Sequence, residues 1–191
     1  DLIDALLDRL LWLCERETGT RWRSTHSVSL ARNLAVNREQ RSRLARQVQV
    51  PAWLPRFALQ DGIVDAVRGV LGPHVRLLRQ IPLELGAPRE TDNLAVWHQD
   101  HFYTRGSRRT LSAWIPLQDT GLREGCLMVM PGSHRLGALA HDNLVLGKRH
   151  HPSAIEDREI RMVPLHKGDA VLLHSLTLHS GQLNLSPAMR Y

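Results

Sequence analysis

The sequence predicts an α+β fold, mainly β. Helices gather in the first third, and short strands forming an antiparallel sandwich or barrel fill the rest. Two observations carry this. Apolar residues recur at helical spacing over 1–17 and 60–71. From His74 onward the period changes to short apolar runs cut by Gly and Pro turns. A chain of 191 residues suits one domain with a proper core, helical over 1–73 and β-rich over 74–191.

In chain order, Leu2, Leu6, Leu10 and Leu13 stripe a first helix over Asp1–Glu17, and Gly19 stops it. Ser27–Leu30 alternates and reads as a short strand or edge. Val36–Val48 carries a weak helical period with Asn37 as its cap. Pro51 and Pro55 break the chain. Ile63, Val64, Val67, Val70 and Leu71 stripe another helix over Gln60–Leu71, ended by Gly72-Pro73. Strands are expected over His74–Leu85, Leu94–Asp100, Thr110–Gln118, Cys126–Met130, Ile160–Pro164 and Asp169–His174. Leu176–His179 continues extended, and Met189–Tyr191 begins another strand. Turns fall at Arg105–Arg109, Gly121–Gly125, Pro131-Gly132 and Lys167-Gly168, and Leu136–Pro152 is an excursion containing His150-His151. The chain opens inside a helical pattern and stops where a strand begins, so further sequence is expected at both ends.

Composition narrows the class. No run of about 18 apolar residues is present, so no membrane-spanning helix is expected. Cys14 and Cys126 lie too far apart for a zinc pattern or a disulfide framework, which points to a reducing, cytoplasmic setting. The net charge of +6 comes almost entirely from arginine, since Lys148 and Lys167 are the only lysines. Those arginines are scattered and no nucleic-acid-binding motif accompanies them, so a solvated basic surface accounts for the charge and no nucleic-acid partner is expected.

The chemistry starts at Trp97-His98-Gln99-Asp100. On an extended strand, residues i and i+2 share a face, so the His98 imidazole and the Asp100 carboxylate can reach one ion. A further imidazole would complete the two-histidine, one-carboxylate facial triad of non-haem iron oxygenases. Of the eleven histidines, only His98 has an acid two residues on. His174 and His179 are both candidates for the third ligand. Arg190 follows them, and a guanidinium can hold a carboxylate bidentately while staying charged when buried.

Several motifs, in order, resemble the phytanoyl-CoA dioxygenase family. They are His98-Gln99-Asp100 with the aromatic patch Phe102-Tyr103; Leu-Ser-Ala-Trp-Ile-Pro-Leu over 111–117; Gly125-Cys126-Leu127 leading to Pro131-Gly132-Ser133-His134; and His179-Ser180-Gly181, Asn184 and Arg190. The eleven-residue step from His179 to Arg190 matches the family's step from distal ligand to co-substrate arginine, which selects His179 over His174. The resemblance covers about 77–190. It implies a double-stranded β-helix (a cupin-like jelly roll) with flanking N-terminal helices. It also implies an Fe(II)- and 2-oxoglutarate-dependent dioxygenase using O2, with His98, Asp100 and His179 on the iron.

By the same resemblance, Arg190 pairs with the distal carboxylate of 2-oxoglutarate, and Trp114 and Leu83 line its pocket. Tyr103 or Gln99 hydrogen-bonds it or shapes the entrance. His134 packs the turn after its strand. The reaction implied is hydroxylation of an unactivated C–H bond of a small molecule, with release of succinate and CO2. The Arg105, Arg108 and Arg109 turn reads first as a solvated basic turn, and second as a hint of an anionic substrate such as an acyl-CoA, a carboxylate or a natural-product intermediate. Halogenase relatives carry a small residue where this chain has Asp100, which argues against chlorination. The competing reading is a catalytically inactive jelly-roll binding or sensing module of the same family.

Overall fold

The computed structural model describes residues 1–49, 53–78, 81–91, 96–104, 106–140 and 158–191. Pro51, Leu94, Arg105, His150-His151 and most of the excursion after Leu136 lie outside the described residues. The chain divides into two compact units. One comprises Asp1–Glu90 with Asn184–Tyr191; the other comprises Thr91–Leu183.

Among its described residues the first unit holds five helices: α1 (Leu2–Thr18), α2 (Val28–Val36), α3 (Arg38–Gln49), α4 (Trp53–Ala58) and α5 (Asp61–Leu71). Asp1 caps α1 through a reciprocal capping box with Asp4, and Gly19 closes it in the left-handed region at φ 68°. Ile3, Leu6, Leu7, Leu10, Leu13 and Cys14 form its buried stripe. On the outer face, the Arg9 and Arg16 guanidinium groups stack on the Trp12 ring at 4.0 and 4.7 Å. α3 packs on α1, α2 and α4. Asn37 caps it as expected, its side-chain oxygen accepting from the Gln40 N–H at 3.0 Å.

Three expectations need correction in this unit. Ser27–Leu30 is not strand: Ser27 precedes α2, whose Leu30, Ala31 and Leu34 bury one helical face. Pro55 does not break the chain but sits in the first turn of α4, where a missing N–H leaves no helical bond unmade. His74–Leu85 forms no strand among its described residues; a single bridge between Gly86 and Arg190 follows it. α5 forms as expected, yet none of its side chains is fully buried.

The second unit holds α6 (His101–Thr104) and strands β1 (Leu111–Trp114), β2 (Leu127–Val129), β3 (Arg161–Val163), β4 (Val171–His174) and β5 (His179–Ser180). They form two antiparallel sheets, β1-β4 and β3-β2-β5. In the first sheet Leu111 pairs with His174 and Trp114 with Val171. In the second, Val129 pairs with Arg161 on one side and His179 on the other. Leu127, Met130, Leu173, Leu176, Leu178 and Cys126 are buried.

Pro131-Gly132-Ser133-His134 makes the sharp exit from β2. Gly132 takes φ 75°, opening a 3-10 turn over Ser133–Leu136. The buried Ser133 hydroxyl donates to the Met130 carbonyl at 2.7 Å and accepts from the Leu178 N–H at 2.8 Å. It thereby ties the end of β2 to the approach to β5. The strand expected over Leu94–Asp100 reduces, within the described residues, to one bridge at His98, and the chain turns into α6 directly after Asp100. The α+β class and the antiparallel pairing stand. Among the described residues, no helix is long and apolar enough to cross a membrane.

Candidate metal centre

The bridge at His98 builds the site. His98 N–H donates to the His179 carbonyl at 3.0 Å, and His179 N–H donates back to the His98 carbonyl at 3.1 Å. Residues paired this way face each other across the ladder, and their side chains leave on the same side. The two imidazoles therefore meet, with ring centroids 4.2 Å apart. β2 pairs along the other edge of His179, so this histidine is held from both sides.

Asp100 arrives by its two-residue offset from His98. Its Oδ1 lies 3.5 Å from His98 Nε2 and 3.5 Å from His179 Nε2. The three donor atoms lie within 4.8 Å of one another, on residues largely shielded from solvent. Two donors about 2.1 Å from one ion at a right angle stand roughly 3 Å apart, so this spacing suits a shared metal.

The other ring nitrogens are already engaged. His98 Nδ1 lies 2.6 Å from the Val96 carbonyl, and His179 Nδ1 lies 3.0 Å from the Thr177 carbonyl. A carbonyl only accepts, so each Nδ1 carries a proton; each Nε2 faces Asp100, holding a proton toward the carboxylate in the metal-free site and giving its lone pair to a metal once that proton leaves. Both carbonyls belong to the residue two places back, an orienting contact that metal-binding histidines typically have.

Burial raises the Asp100 pKa. A hydrogen bond with His98, the charge of His179, a hydrogen bond with Ser112 and the charge of His98 outweigh that and hold it down to about 2. Ser112 is a site residue the sequence reading missed. The signal was present: Ser112 and Trp114 alternate onto one face of β1, opposite Leu111 and Ala113.

The remaining residues separate. Tyr103 lies edge-on to His98, with centroids 5.5 Å apart, and is half exposed. Trp114 sits at the end of β1 on the Ser112 face. Leu83 and Arg190 belong to the first unit, and the metal cluster belongs to the second. Gln99 is engaged with backbone groups. It is 1% exposed. Its amide donates to Gly137 O at 2.9 Å and Leu176 O at 2.8 Å, and accepts from Leu139 N–H at 2.9 Å. Strand alternation sends Gln99 opposite to His98 and Asp100, where it stitches three backbone segments together. His174 stands apart from the cluster, its ring 5.4 Å from that of His134. Burial, then the charges of His134 and His101, lower its pKa.

The sequence model described as Phytanoyl-CoA dioxygenase (PhyH) matches residues 3–191. The peroxisomal phytanoyl-CoA dioxygenase of Mus musculus is 28% identical over 149 residues, covering 71% of this chain and 43% of that protein. A probable alpha-ketoglutarate-dependent hypophosphite dioxygenase of Stutzerimonas stutzeri is 27% identical over 164 residues, covering 78% of this chain and 55% of that protein. Among solved structures, the epimerase SnoN in complex with Fe3+, alpha ketoglutarate and nogalamycin RO is similar at a TM-score of 0.60 and 25% identity. That match covers 76% of this chain and 58% of SnoN. The chain thus spans about half the length of the curated relatives it matches.

Proposed function

Because the chain belongs to the phytanoyl-CoA dioxygenase family, we propose that it is an Fe(II)- and 2-oxoglutarate-dependent dioxygenase that hydroxylates an unactivated C–H bond of a small molecule, releasing succinate and CO2. One observation carries the reading. Two imidazole Nε2 atoms, each with its Nδ1 on a backbone carbonyl, converge with one carboxylate within 4.8 Å. Two imidazoles and one carboxylate are the donor set of non-haem Fe(II) oxygenases, in contrast to the thiolate-rich sets of structural zinc.

His98, Asp100 and His179 hold the iron. The iron, with 2-oxoglutarate and O2, supplies the oxidising chemistry. The chain's own residues supply geometry and charge. The cross-strand pair fixes both imidazoles. The depressed pKa keeps Asp100 ionised at neutral pH, so no proton need leave it when metal binds. Ser112 steadies the carboxylate. Arg190 takes the distal carboxylate of 2-oxoglutarate, with a planar fork suited to a bidentate pair. Trp114 borders the co-substrate on the Ser112 face, Leu83 adds an apolar wall, and Tyr103 shapes the entrance beside His98. The two antiparallel sheets belong to a double-stranded β-helix, a reading supported by the likeness to SnoN. The substrate is small and anionic, and the arginines after Tyr103 support that. Thiols outside any disulfide support a cytoplasmic setting.

Succinate formation from 2-oxoglutarate with Fe(II), ascorbate and O2 tests the proposal, with Asp100→Ala and Arg190→Ala alongside. Turnover by the wild type and its loss in both variants supports the assignment. Full turnover in Asp100→Ala overturns the ligand set. Absence of both turnover and 2-oxoglutarate binding in the wild type favours the inactive binding module.

A further inference from the structure

Gly86 is a glycine that its own backbone does not require. The described glycines with positive φ are Gly19, Gly72, Gly125, Gly132, Gly137 and Gly168. Gly86 is not among them, so its conformation is open to residues with a side chain. What such a side chain would meet is Arg190. A Cβ at Gly86 would stand 3.1 Å from Arg190 Nε, 3.2 Å from Nη2 and 3.4 Å from Cβ. These are its three nearest neighbours, and all belong to one side chain.

The backbone around this contact is clamped. Gly86 N–H donates to Arg190 O at 2.8 Å, and Arg190 N–H donates to Gly86 O at 2.9 Å. The buried Asn184 amide donates to the same Gly86 carbonyl at 3.0 Å and to Ala188 O at 2.8 Å. Its oxygen accepts from Ser186 N–H at 3.0 Å and from the Ser186 hydroxyl at 2.7 Å. Arg89, itself at φ 55°, donates its N–H to Asn184 O at 2.8 Å. With both segments pinned, the yielding part under a new Cβ is the Arg190 side chain.

We propose that Gly86 is a positioning residue for the co-substrate. Its bare Cα lets the Arg190 guanidinium lie along the two bridged segments in the orientation that receives the distal carboxylate of 2-oxoglutarate, and larger residues there relax the preference for a dicarboxylic 2-oxo acid. The inference rests on the reading of Arg190 given above. A bidentate fork on a carboxylate is planar and directional, and binding constellations tolerate displacements of only about 0.5 Å. A Cβ at position 86 makes the Arg190 side chain give by a few tenths of an ångström, and a larger side chain by more, while the backbone pairing stays intact.

The test is calorimetric titration of anaerobic, Fe(II)-loaded protein with 2-oxoglutarate and, separately, with 2-oxopentanoate. The second has the same chelating end and no distal carboxylate. In Gly86→Val the affinity for 2-oxoglutarate should fall by about tenfold, the worth of one charge-assisted contact, while 2-oxopentanoate binds as it does to wild type. Gly86→Ala should fall between. Arg190→Ala is the control that separates the two readings. If it retains the wild-type preference for 2-oxoglutarate, the role of Arg190 fails and this inference fails with it. If Arg190→Ala loses the preference but Gly86→Val keeps it, the inference about Gly86 alone is overturned. Equal loss of both 2-oxo acids in Gly86→Val and Gly86→Ala would make Gly86 a packing residue and overturn it as well.

Discussion

Replacing Arg41 with Met tests how the first unit is held together. Arg41 is 4% exposed, and its ion-pair partner Glu90 is 15% exposed. The guanidinium donates to the carbonyls of Leu34 and Ala35 at the end of α2 and, through Nη2, to Glu90. It therefore serves as both a helix C-cap and a counter-ion, joining α2 and α3 to the segment that carries Gly86. Met fills most of the volume but supplies no donor or charge. Stripping a largely buried carboxylate of its cation costs about 3 kcal/mol. The Leu34 carbonyl, on a buried residue, adds about 1 kcal/mol, whereas exposed Ala35 can turn to water. The expected loss is about 4 kcal/mol, a large part of the roughly 5–15 kcal/mol of an ordinary domain. Urea unfolding followed by far-UV circular dichroism and by tryptophan fluorescence measures it. Adding Glu90→Leu to Arg41→Met should recover at least about 2 kcal/mol, because an apolar pair of similar volume leaves no uncompensated charge. A single-variant loss under about 1 kcal/mol, or a double variant no better than the single, would refute the reasoning and make the pair a solvated one.

Gln99→Leu should cost about 3 kcal/mol by leaving Gly137 O, Leu176 O and Leu139 N–H without their partner; wild-type stability with weakened 2-oxoglutarate binding would restore a co-substrate role to Gln99. Asp100 has a folded pKa of about 2, below the ordinary 3.8. It therefore contributes stability that is present above the ordinary value and lost as pH falls through the folded one, about 2 kcal/mol in all. In metal-free protein the urea midpoint of Asp100→Asn should thus change less than that of wild type between pH 4 and 2, and parallel curves would contradict this. Burial, then the charge of Glu15, pushes the Cys14 thiol up to about 12. An aromatic disulfide reagent at about pH 8 should leave Cys14 unlabelled until the protein unfolds, and prompt labelling in the native state would show otherwise.

Local signals by themselves determined α1, α3 and α5, the turns at Gly19, Gly132 and Gly168, and the pairing potential of His98 with Asp100. Helical periodicity, caps and positive-φ glycines act over a few residues, so they can be read from a linear chain. The i, i+2 rule that brings Asp100 to His98 is equally local. Where two local codes overlap, the shorter one misleads. Ser27–Leu30 alternates like a strand, but the next turn supplies Ala31 and Leu34 for a helical face.

Register was decided only by the tertiary structure. The bridge that joins His98 to His179 spans most of the second unit, and no composition specifies which residues of two distant segments exchange their backbone bonds. The same holds for Ser112 beside Asp100, for Arg41 under Glu90 and for Gly86 under Arg190. In Gln99 the chain places a polar residue between two metal-ligand candidates. Only the strand's direction reveals that its amide serves the backbone behind the site while its neighbours serve the metal in front.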